Sequence, residues 1–171
     1  EPAIGYPRVL EETFKVYASY TAMAQHLGQK QTHWVDWGDR VIPHYFDMTE
    51  FEFSEKPEDY FVFFHRVTYA KGFDLVLNLA REMGFNLKVA GQGGSQYDLP
   101  DNVEYLGSVG IEERKILLSK AKGMLMPTMF LEPFGMSGIE SMLSGTPVIS
   151  TDYGAFAEWN LHGLTGYRCK R

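Results

Sequence analysis

From residue 60 onward, short apolar runs alternate with segments of helical periodicity, and this alternation restricts the possible folds more than any other feature of the sequence. Continuous apolar runs are typical of strands that are covered on both faces of a sheet. The predicted strands cover residues 60–64, 86–90, 103–106, 123–127 and 147–150, and the predicted helices cover residues 73–80, 111–120 and 135–144. Because short glycine-containing connections join them, we expect a parallel sheet with right-handed crossovers, which is a Rossmann-like, doubly wound α/β domain.

The first third of the chain shows a different pattern. Apolar residues at three- and four-residue spacing predict an amphipathic helix over residues 8–27, with Gly28 as its stop. Residues 29–59 are irregular and predict at most one short strand. The sequence has no initiator Met, and we expect residues 1–40 to be the connector or tail of a preceding N-terminal domain. Residues 41–171 then form the α/β domain.

Composition and charge narrow the functional classes. The 171 residues are 44% hydrophobic and 22% charged, as in ordinary globular proteins, and the net charge of −6 argues against a nucleic-acid partner. No segment approaches the ~18 apolar residues of a transmembrane helix, and the first residues lack the pattern of a signal peptide. A single cysteine, Cys169, excludes an internal disulfide and fits a reducing compartment. We therefore expect a cytoplasmic location, and peripheral membrane association of the full-length protein stays open.

Polar and glycine-rich segments follow several predicted strands, at the edge where parallel sheets bind their ligands. The strand ends that define this edge are Phe64, Ala90, Leu106, Met126 and Ser150. Arg66 and Lys71 follow the first strand, a turn from Gly91 to Gly94 follows the second, and the segment from Glu132 to Glu140 follows the fourth. Cations neutralise phosphates, and carboxylates accept hydrogen bonds from hydroxyl groups. The expected ligand therefore carries both phosphates and sugar hydroxyls.

The segment after the fourth strand has a loop-to-helix pattern. Pro133 and Gly135 interrupt a helix, so we expect Glu132 in the loop and Glu140 about one turn into the helix. The backbone N–H groups of Gly135, Met136 and Ser137 then point at an anion, since a helix N-terminus leaves such groups unpaired.

The order of these motifs resembles the C-terminal, donor-binding domain of the retaining group-1 glycosyltransferases, which have the GT-B fold. The family motif Glu-x7-Glu matches Glu132 to Glu140 with Pro-Phe-Gly inside it, and Arg-x4-Lys-Gly matches Arg66 and Lys71. Weaker motifs occur in the same order. They are the glycine turn at residues 91–93, Asn-Val-x-x-x-Gly at residues 102–107, Gly-Thr-Pro-Val-Ile at residues 145–149, Gly154 with Glu158, and the turn at residues 163–166.

The resemblance implies a reaction and a set of site residues. The domain would bind a nucleoside-diphosphate sugar such as UDP-glucose or GDP-mannose, and the glycosyl group would pass to an acceptor hydroxyl with retention of configuration. The implied catalytic residues are Arg66 and Lys71 on the diphosphate and Glu132 on the sugar. The implied donor-binding residues are Gly91, Gly93, Leu106, Gly107, Val109, Phe134, Gly135, Met136, Ser137 and Glu140, with Glu140 on the ribose and residues 106–109 near the base.

The resemblance also implies what the chain needs and what it does not. No metal and no cofactor are expected. The acceptor, which is a saccharide, a lipid-linked sugar or another hydroxyl compound, would bind to the protein's own N-terminal domain, so we expect this fragment alone to be inactive. Alternatives are a non-catalytic nucleotide-sugar-binding module, or another GT-B enzyme such as a phosphorylase or an epimerase.

Two departures from the family pattern and one possible metal site complete the sequence picture. The family usually has Gly where His65 stands, and Asn-Gly-Val-Asp where residues 44–47 read His-Tyr-Phe-Asp, and both changes add bulk near the expected cleft. Asp36 and Asp39 do not have the Asp-x-Asp spacing of metal-dependent sugar transfer. We interpret them as surface acids that flank two buried tryptophans, Trp34 and Trp37.

Overall fold

A computed structural model describes residues 14–170, which form a six-stranded sheet flanked by helices and a separate two-stranded sheet. The strands are β1 (Val16–Tyr17), β2 (Arg40–Val41), β3 (Phe61–Phe64), β4 (Leu87–Ala90), β5 (Val103–Gly107), β6 (Met124–Met126), β7 (Val148–Thr151) and β8 (Gly166–Cys169). The helices are α1 (Tyr20–Gln29), α2 (Phe73–Met83), α3 (Ile111–Ser119), α4 (Met136–Leu143) and α5 (Phe156–Trp159).

The large sheet is parallel throughout, in the order β5-β4-β3-β6-β7-β8. Consecutive side chains of the central strand β3 enter different cores, because side chains alternate across a sheet. Val62 packs with buried residues of α3 and α5, whereas Phe63 packs with the apolar face of α2. Helices therefore cover both faces, which confirms the predicted Rossmann-like α/β fold.

The register of the strands brings their carboxyl ends to one level. Phe64 at the end of β3 is paired with Ala90 at the end of β4, and Met126 at the end of β6 is paired with Ser150 in β7. The loops that follow these strands consequently start side by side. This alignment is what assembles a site from segments far apart in the sequence.

The prediction of one helix over residues 8–27 was wrong. Val16 and Tyr17 form β1, which pairs in parallel with β2, and α1 begins only at Tyr20. Ser19 has an extended backbone, and its hydroxyl oxygen accepts a hydrogen bond from the backbone N–H of Ala22, so it is the N-cap of the helix. Gly28 lies inside α1 rather than after it. The remainder of the predicted helix, residues 8–13, lies outside the described residues.

Two further elements were not predicted. In the edge strand β8 only Gly166 is buried, so the strand lacks the continuous apolar run by which the central strands were found. Helix α5 has only four residues, which is too short for a periodic pattern.

The tryptophans predicted to be buried are exposed. The exposed fractions of Trp34 and Trp37 are 76% and 82%, whereas Asp39 is buried and accepts a hydrogen bond of 2.9 Å from the backbone N–H of Lys15. These side chains belong to the segment beside the small sheet, where no second layer covers them within residues 14–170. In the same residues there is no group of three or more His, Cys, Asp or Glu side chains that could hold a metal ion. No helix there is long and apolar enough to span a bilayer.

Candidate functional site

A cavity of about 540 Å³ lies at the carboxyl ends of β3, β4 and β5, against the loop before α4. Its walls come from four separate stretches of the chain and from one residue of the N-terminal segment. The lining residues are His44, Phe64, His65, Arg66, Lys71, Ala90, Gly91, Gln92, Ser108, Val109, Glu132, Pro133, Phe134, Gly135, Met136, Ser137 and Glu140. This is the sheet edge that the sequence predicted.

Gly91 allows the ends of β3 and β4 to approach each other at the cavity floor. Its φ is +139°, which side chains of L-residues rarely permit, and a Cβ atom there would lie 1.9 Å from the carbonyl oxygen of His65. Beyond this point the backbone N–H of Val67 donates to the carbonyl of Gln92 at 2.7 Å. The glycine is therefore required by close backbone packing, which also brings Arg66 and Gln92 to the rim.

Lys71 and Glu132 form a mostly buried ion pair in the cavity wall. The Lys71 ammonium donates to Glu132 Oε2 at 2.7 Å and lies 5.0 Å from the centre of the Phe130 ring. The exposed fractions of the two side chains are 17% and 8%. The carboxylate neutralises the cation, and both groups still face the cavity, where an anionic ligand and a hydroxyl donor can reach them.

The loop before α4 is fixed through its carbonyl groups. Those of residues 132–134 accept hydrogen bonds from Ala155, from the hydroxyl of Ser19 and from the indole of Trp159. Gly135 follows with a φ of +84° and is the N-cap of α4, whose N-terminus has no side-chain cap. Gly135, Met136 and Ser137 line the cavity, so the partial positive charge of this helix end faces the cavity space.

Glu140 lies just over one turn into α4, as predicted, while Glu132 stays in the loop. The Glu140 carboxylate forms an ion pair of 3.3 Å with Arg114 of α3, and Arg114 also pairs with Glu50 at 2.7 Å. Burial raises the pKa of Glu140 above its ordinary value; the guanidinium of Arg114 opposes this shift and the carboxylate of Glu50 adds to it.

Both departures from the family pattern lie at the cavity. His65 is buried in its wall, and its Nδ1 is 3.0 Å from the hydroxyl of Ser137. Burial, assisted by the charge of Lys71, holds the pKa of His65 well below its ordinary value, with a smaller opposite effect from the carbonyl of Leu125. The imidazole is therefore neutral at physiological pH. His44 packs edge-on against the Phe134 ring, with 4.8 Å between the ring centres.

Three of the predicted donor-binding residues do not line the cavity. Gly93 packs against the backbone of Val67, the carbonyl of Gly107 accepts the N–H of Gly91 at 2.7 Å, and Leu106 is exposed beside the cavity. The other predicted residues are brought together there, namely Arg66, Lys71, Gly91, Val109, Glu132, Phe134, Gly135, Met136, Ser137 and Glu140. Among residues 151–170, none contributes to the lining.

The sequence analysis included Gln92 and Ser108 only as members of the 91–94 turn and the 106–109 segment, and it missed Arg114 altogether. Gln92 and Ser108 follow strand ends directly, so the rule that ligands bind at these ends was sufficient to select them. Arg114 is different, because it lies inside a helix and meets Glu140 only through the packing of α3 against α4. Nothing in the local sequence marks it.

Known proteins share the sequence pattern and the fold of this chain. Residues 47–171 match the family described as glycosyl transferases group 1. This chain belongs to that family. The parallel sheet and its flanking helices likewise match the C-terminal domains of glycosyltransferases with the GT-B fold.

The relatives of this group 1 glycosyltransferase include proteins named for different transfer reactions. It is 30% identical over 117 residues to D-rhamnosyltransferase WbpZ of Pseudomonas aeruginosa, a match of 63% of this chain and 31% of the relative. It is also 30% identical over 118 residues to glycogen synthase of Mycobacterium tuberculosis, covering 61% of this chain and 28% of that protein. Anabaena HepE in complex with UDP-glucose superposes with a TM-score of 0.78 at 18% identity, covering 92% of this chain and 50% of that one. The chain thus spans about a third of these curated relatives and half of the solved protein.

Proposed function

We propose that this glycosyltransferase domain binds a nucleoside-diphosphate sugar in the cavity and takes part in transferring its glycosyl group to an acceptor hydroxyl. One observation carries the proposal. The Lys71–Glu132 pair and the uncapped N-terminus of α4 face the same cavity space, so that cationic, anionic and dipolar groups meet within a single ligand's reach. A diphosphate joined to a sugar has the complementary charges and hydroxyls.

The diphosphate binds between Lys71, Arg66 and the N-terminus of α4 in this proposal. Arg66 is exposed at the rim and forms no ion pair with any other residue in 14–170, so its charge is available to an incoming anion. When the glycosidic bond to the donor breaks, negative charge grows on the leaving diphosphate. Preorganised cations and backbone N–H groups stabilise that charge, and no metal ion is needed for this electrostatic effect.

The sugar and the nucleoside occupy opposite sides of the diphosphate. Glu132 accepts hydrogen bonds from the hydroxyls of the transferred sugar, and the backbone N–H groups of residues 134–136 donate to them. Glu140 accepts hydrogen bonds from the ribose, and the base lies against Ser108 and Val109. The lining of the cavity supports these assignments. Gly93 and Gly107 contribute through close backbone packing against Val67 and Gly91.

We further propose that transfer proceeds with retention and requires an N-terminal acceptor-binding domain, with residues 1–40 as its connector. The lengths of the relatives, of which this chain matches only a part, support a second domain. The acceptor is a saccharide, a lipid-linked sugar or another hydroxyl compound. A cytoplasmic location stays a prediction.

Calorimetric titration of the chain with UDP-glucose, GDP-mannose and ADP-glucose tests the binding step. We expect one of them to bind, and Lys71→Ala to weaken that binding by at least ~10-fold, since it removes a charge-assisted contact. Lys120→Ala is the matched control, because this lysine also has a carboxylate partner but lies away from the cavity. Equal affinity for all three proteins, or no binding to any donor, contradicts the proposal.

Transfer itself is tested with the full-length protein. The anomeric configuration of the product, read by proton NMR, decides between retention and inversion. Binding without turnover for any hydroxyl acceptor would indicate a non-catalytic nucleotide-sugar-binding module.

A further inference from the structure

Arg114 lies behind the cavity and joins two carboxylates that come from different parts of the chain. Its Nη1 is 3.3 Å from Glu140 Oε1 on α4, and its Nη2 is 2.7 Å from Glu50 Oε2 in the 3-10 turn at Met48–Glu50. The guanidinium also lies 5.5 Å from the centre of the Phe51 ring. With only 15% of its side chain exposed, Arg114 is held on three sides and does not line the cavity itself.

This arrangement orients the carboxylate of Glu140. Oε1 faces Arg114, and among the described residues Oε2 has no hydrogen-bond partner. Because the Glu140 side chain lines the cavity, Oε2 is the oxygen that a ligand can reach. A carboxylate that is fixed at one oxygen presents its second oxygen in a defined direction, whereas a freely rotating carboxylate would not.

Arg114 also acts on the ionisation of Glu140. Burial and the nearby Glu50 carboxylate both raise the pKa of Glu140, and Arg114 is the cation that opposes them. Only the ionised form accepts hydrogen bonds at both oxygens; the protonated form has one oxygen occupied by a proton. Among the described residues, the other charged or titratable side chains that line the cavity are His44, His65, Arg66, Lys71 and Glu132.

We propose that Arg114 is a positioning residue that makes the site selective for ribonucleotides, by holding Glu140 as an ionised, oriented acceptor for the ribose hydroxyls. The inference rests on the proposed function, in which Glu140 binds the ribose. A site built around a hydrogen bond to a hydroxyl discriminates against a ligand that lacks this group, because a buried acceptor is then left unpaired. Arg114 thus acts through Glu140 and does not touch the ligand.

The test measures the affinity of a ribonucleoside diphosphate relative to its 2′-deoxy counterpart, across pH. UDP, GDP and ADP are titrated first, and the tightest binder is compared with dUDP, dGDP or dADP accordingly. The two ligands share base and diphosphate, so pH effects on the phosphate and on the groups that bind it cancel in the ratio. We expect the wild type to prefer the ribonucleotide by ~10-fold near pH 8 and to lose this preference as Glu140 becomes protonated at lower pH.

Variants of the ion triad separate the possible roles of Arg114. Arg114→Gln should reduce the ribonucleotide preference near pH 8 to about 3-fold. It should also move the loss of this preference towards higher pH, because the cation that opposes protonation of Glu140 is gone. Arg114→Lys should restore part of the preference. Glu50→Gln should move the pH dependence in the opposite direction, since it removes a charge that raises the pKa of Glu140. Lys115→Gln, which removes a neighbouring cation of α3 paired with Glu112, is the matched control and should change nothing.

The outcomes distinguish this inference from the proposed function. If no nucleoside diphosphate binds to the wild type, the proposed function fails and the inference with it. If the wild type binds but Arg114→Gln and Glu50→Gln leave the ratio and its pH dependence unchanged, the proposed function stands and the role of Arg114 is refuted. Should Arg114→Gln fail to fold, Glu50→Gln still decides, because an unchanged pH dependence there contradicts the coupling.

Discussion

Replacing Lys71 by Met separates the structural contribution of the buried ion pair from its contribution to binding. Met keeps most of the apolar stem but removes the ammonium, which lies over the Phe130 ring, so Glu132 is left as a buried carboxylate without its cation. Breaking a buried pair at one partner costs ~3–5 kcal/mol. Because some water still reaches the Lys71 side chain, we expect the lower end of this range, about 3 kcal/mol.

A second substitution provides the test of this reasoning. In the double variant Lys71→Met/Glu132→Gln no unpaired charge remains, and replacing both members of a buried pair is often close to neutral. We therefore expect the double variant to be within ~1 kcal/mol of the wild type, although it carries one substitution more than the single variant. Binding of the nucleotide sugar should stay weak in both variants, since both lack the cation.

Thermal unfolding followed by circular dichroism measures the effect. For a chain of this length, ~3 kcal/mol corresponds to a decrease in Tm of about 6–12 °C, which is well resolved. Lys120→Met is the matched control. Its ion pair with Glu58 is 2.9 Å long, but the side chains are 43% and 50% exposed, so its loss should leave the Tm nearly unchanged. If the double variant is as unstable as Lys71→Met, the instability does not come from an unpaired Glu132 and the argument is refuted.

Three further predictions concern backbone geometry, pH and the N-terminal segment. Gly91→Ala should cost more than ~2 kcal/mol in urea unfolding because of its positive φ and the adjacent carbonyl, whereas Gly28→Ala, in open space within α1, should stabilise by ~0.5–1 kcal/mol; equal effects would contradict the packing argument. His65 stays neutral when folded but binds a proton below about pH 6.5 when unfolded, so stability falls as the pH decreases from there, and His65→Asn should show a smaller decrease between about pH 7 and pH 5. Glu158→Gln should cost ~1 kcal/mol and increase hydrogen exchange in the first turn of α1, because the Glu158 carboxylate accepts hydrogen bonds of 2.7 and 2.9 Å from two backbone N–H groups of that turn; unchanged exchange would exclude this capping role.

The fold was predictable from the sequence for those elements whose burial produces a pattern of apolar residues along the chain. A central strand such as β3, covered on both faces, must be apolar throughout, and α2 must carry an apolar stripe, so these elements were found within a residue or a few at each end. The edge strand β8 and the short α5 have no such apolar pattern. The same limit explains the error at the N-terminus, where the apolar spacing around Tyr17 was interpreted as helical although the residue belongs to a strand.

The site likewise has a part that was predictable from the sequence and a part that was not. Arg66, Lys71, Glu132 and Glu140 follow strand ends or lie in motifs of fixed spacing, so their arrival at one sheet edge follows from the order of strands and the rule for parallel sheets. The side-chain contacts around the cavity were not predictable. Arg114 meets Glu140 across two helices, and His65 meets Ser137 across the cavity, and neither contact is a property of nearby residues in the chain.

The parallel α/β architecture, the sheet edge at which the cavity lies and the family of the chain were all predictable from the sequence alone. These properties depend on apolar periodicity and motif spacing, which are local. The pairing of the charges, their burial and their exposure to the cavity became known from the folded structure. Ionisation and hydrogen bonding depend on distance and burial, and packing sets both between residues that are far apart in the sequence.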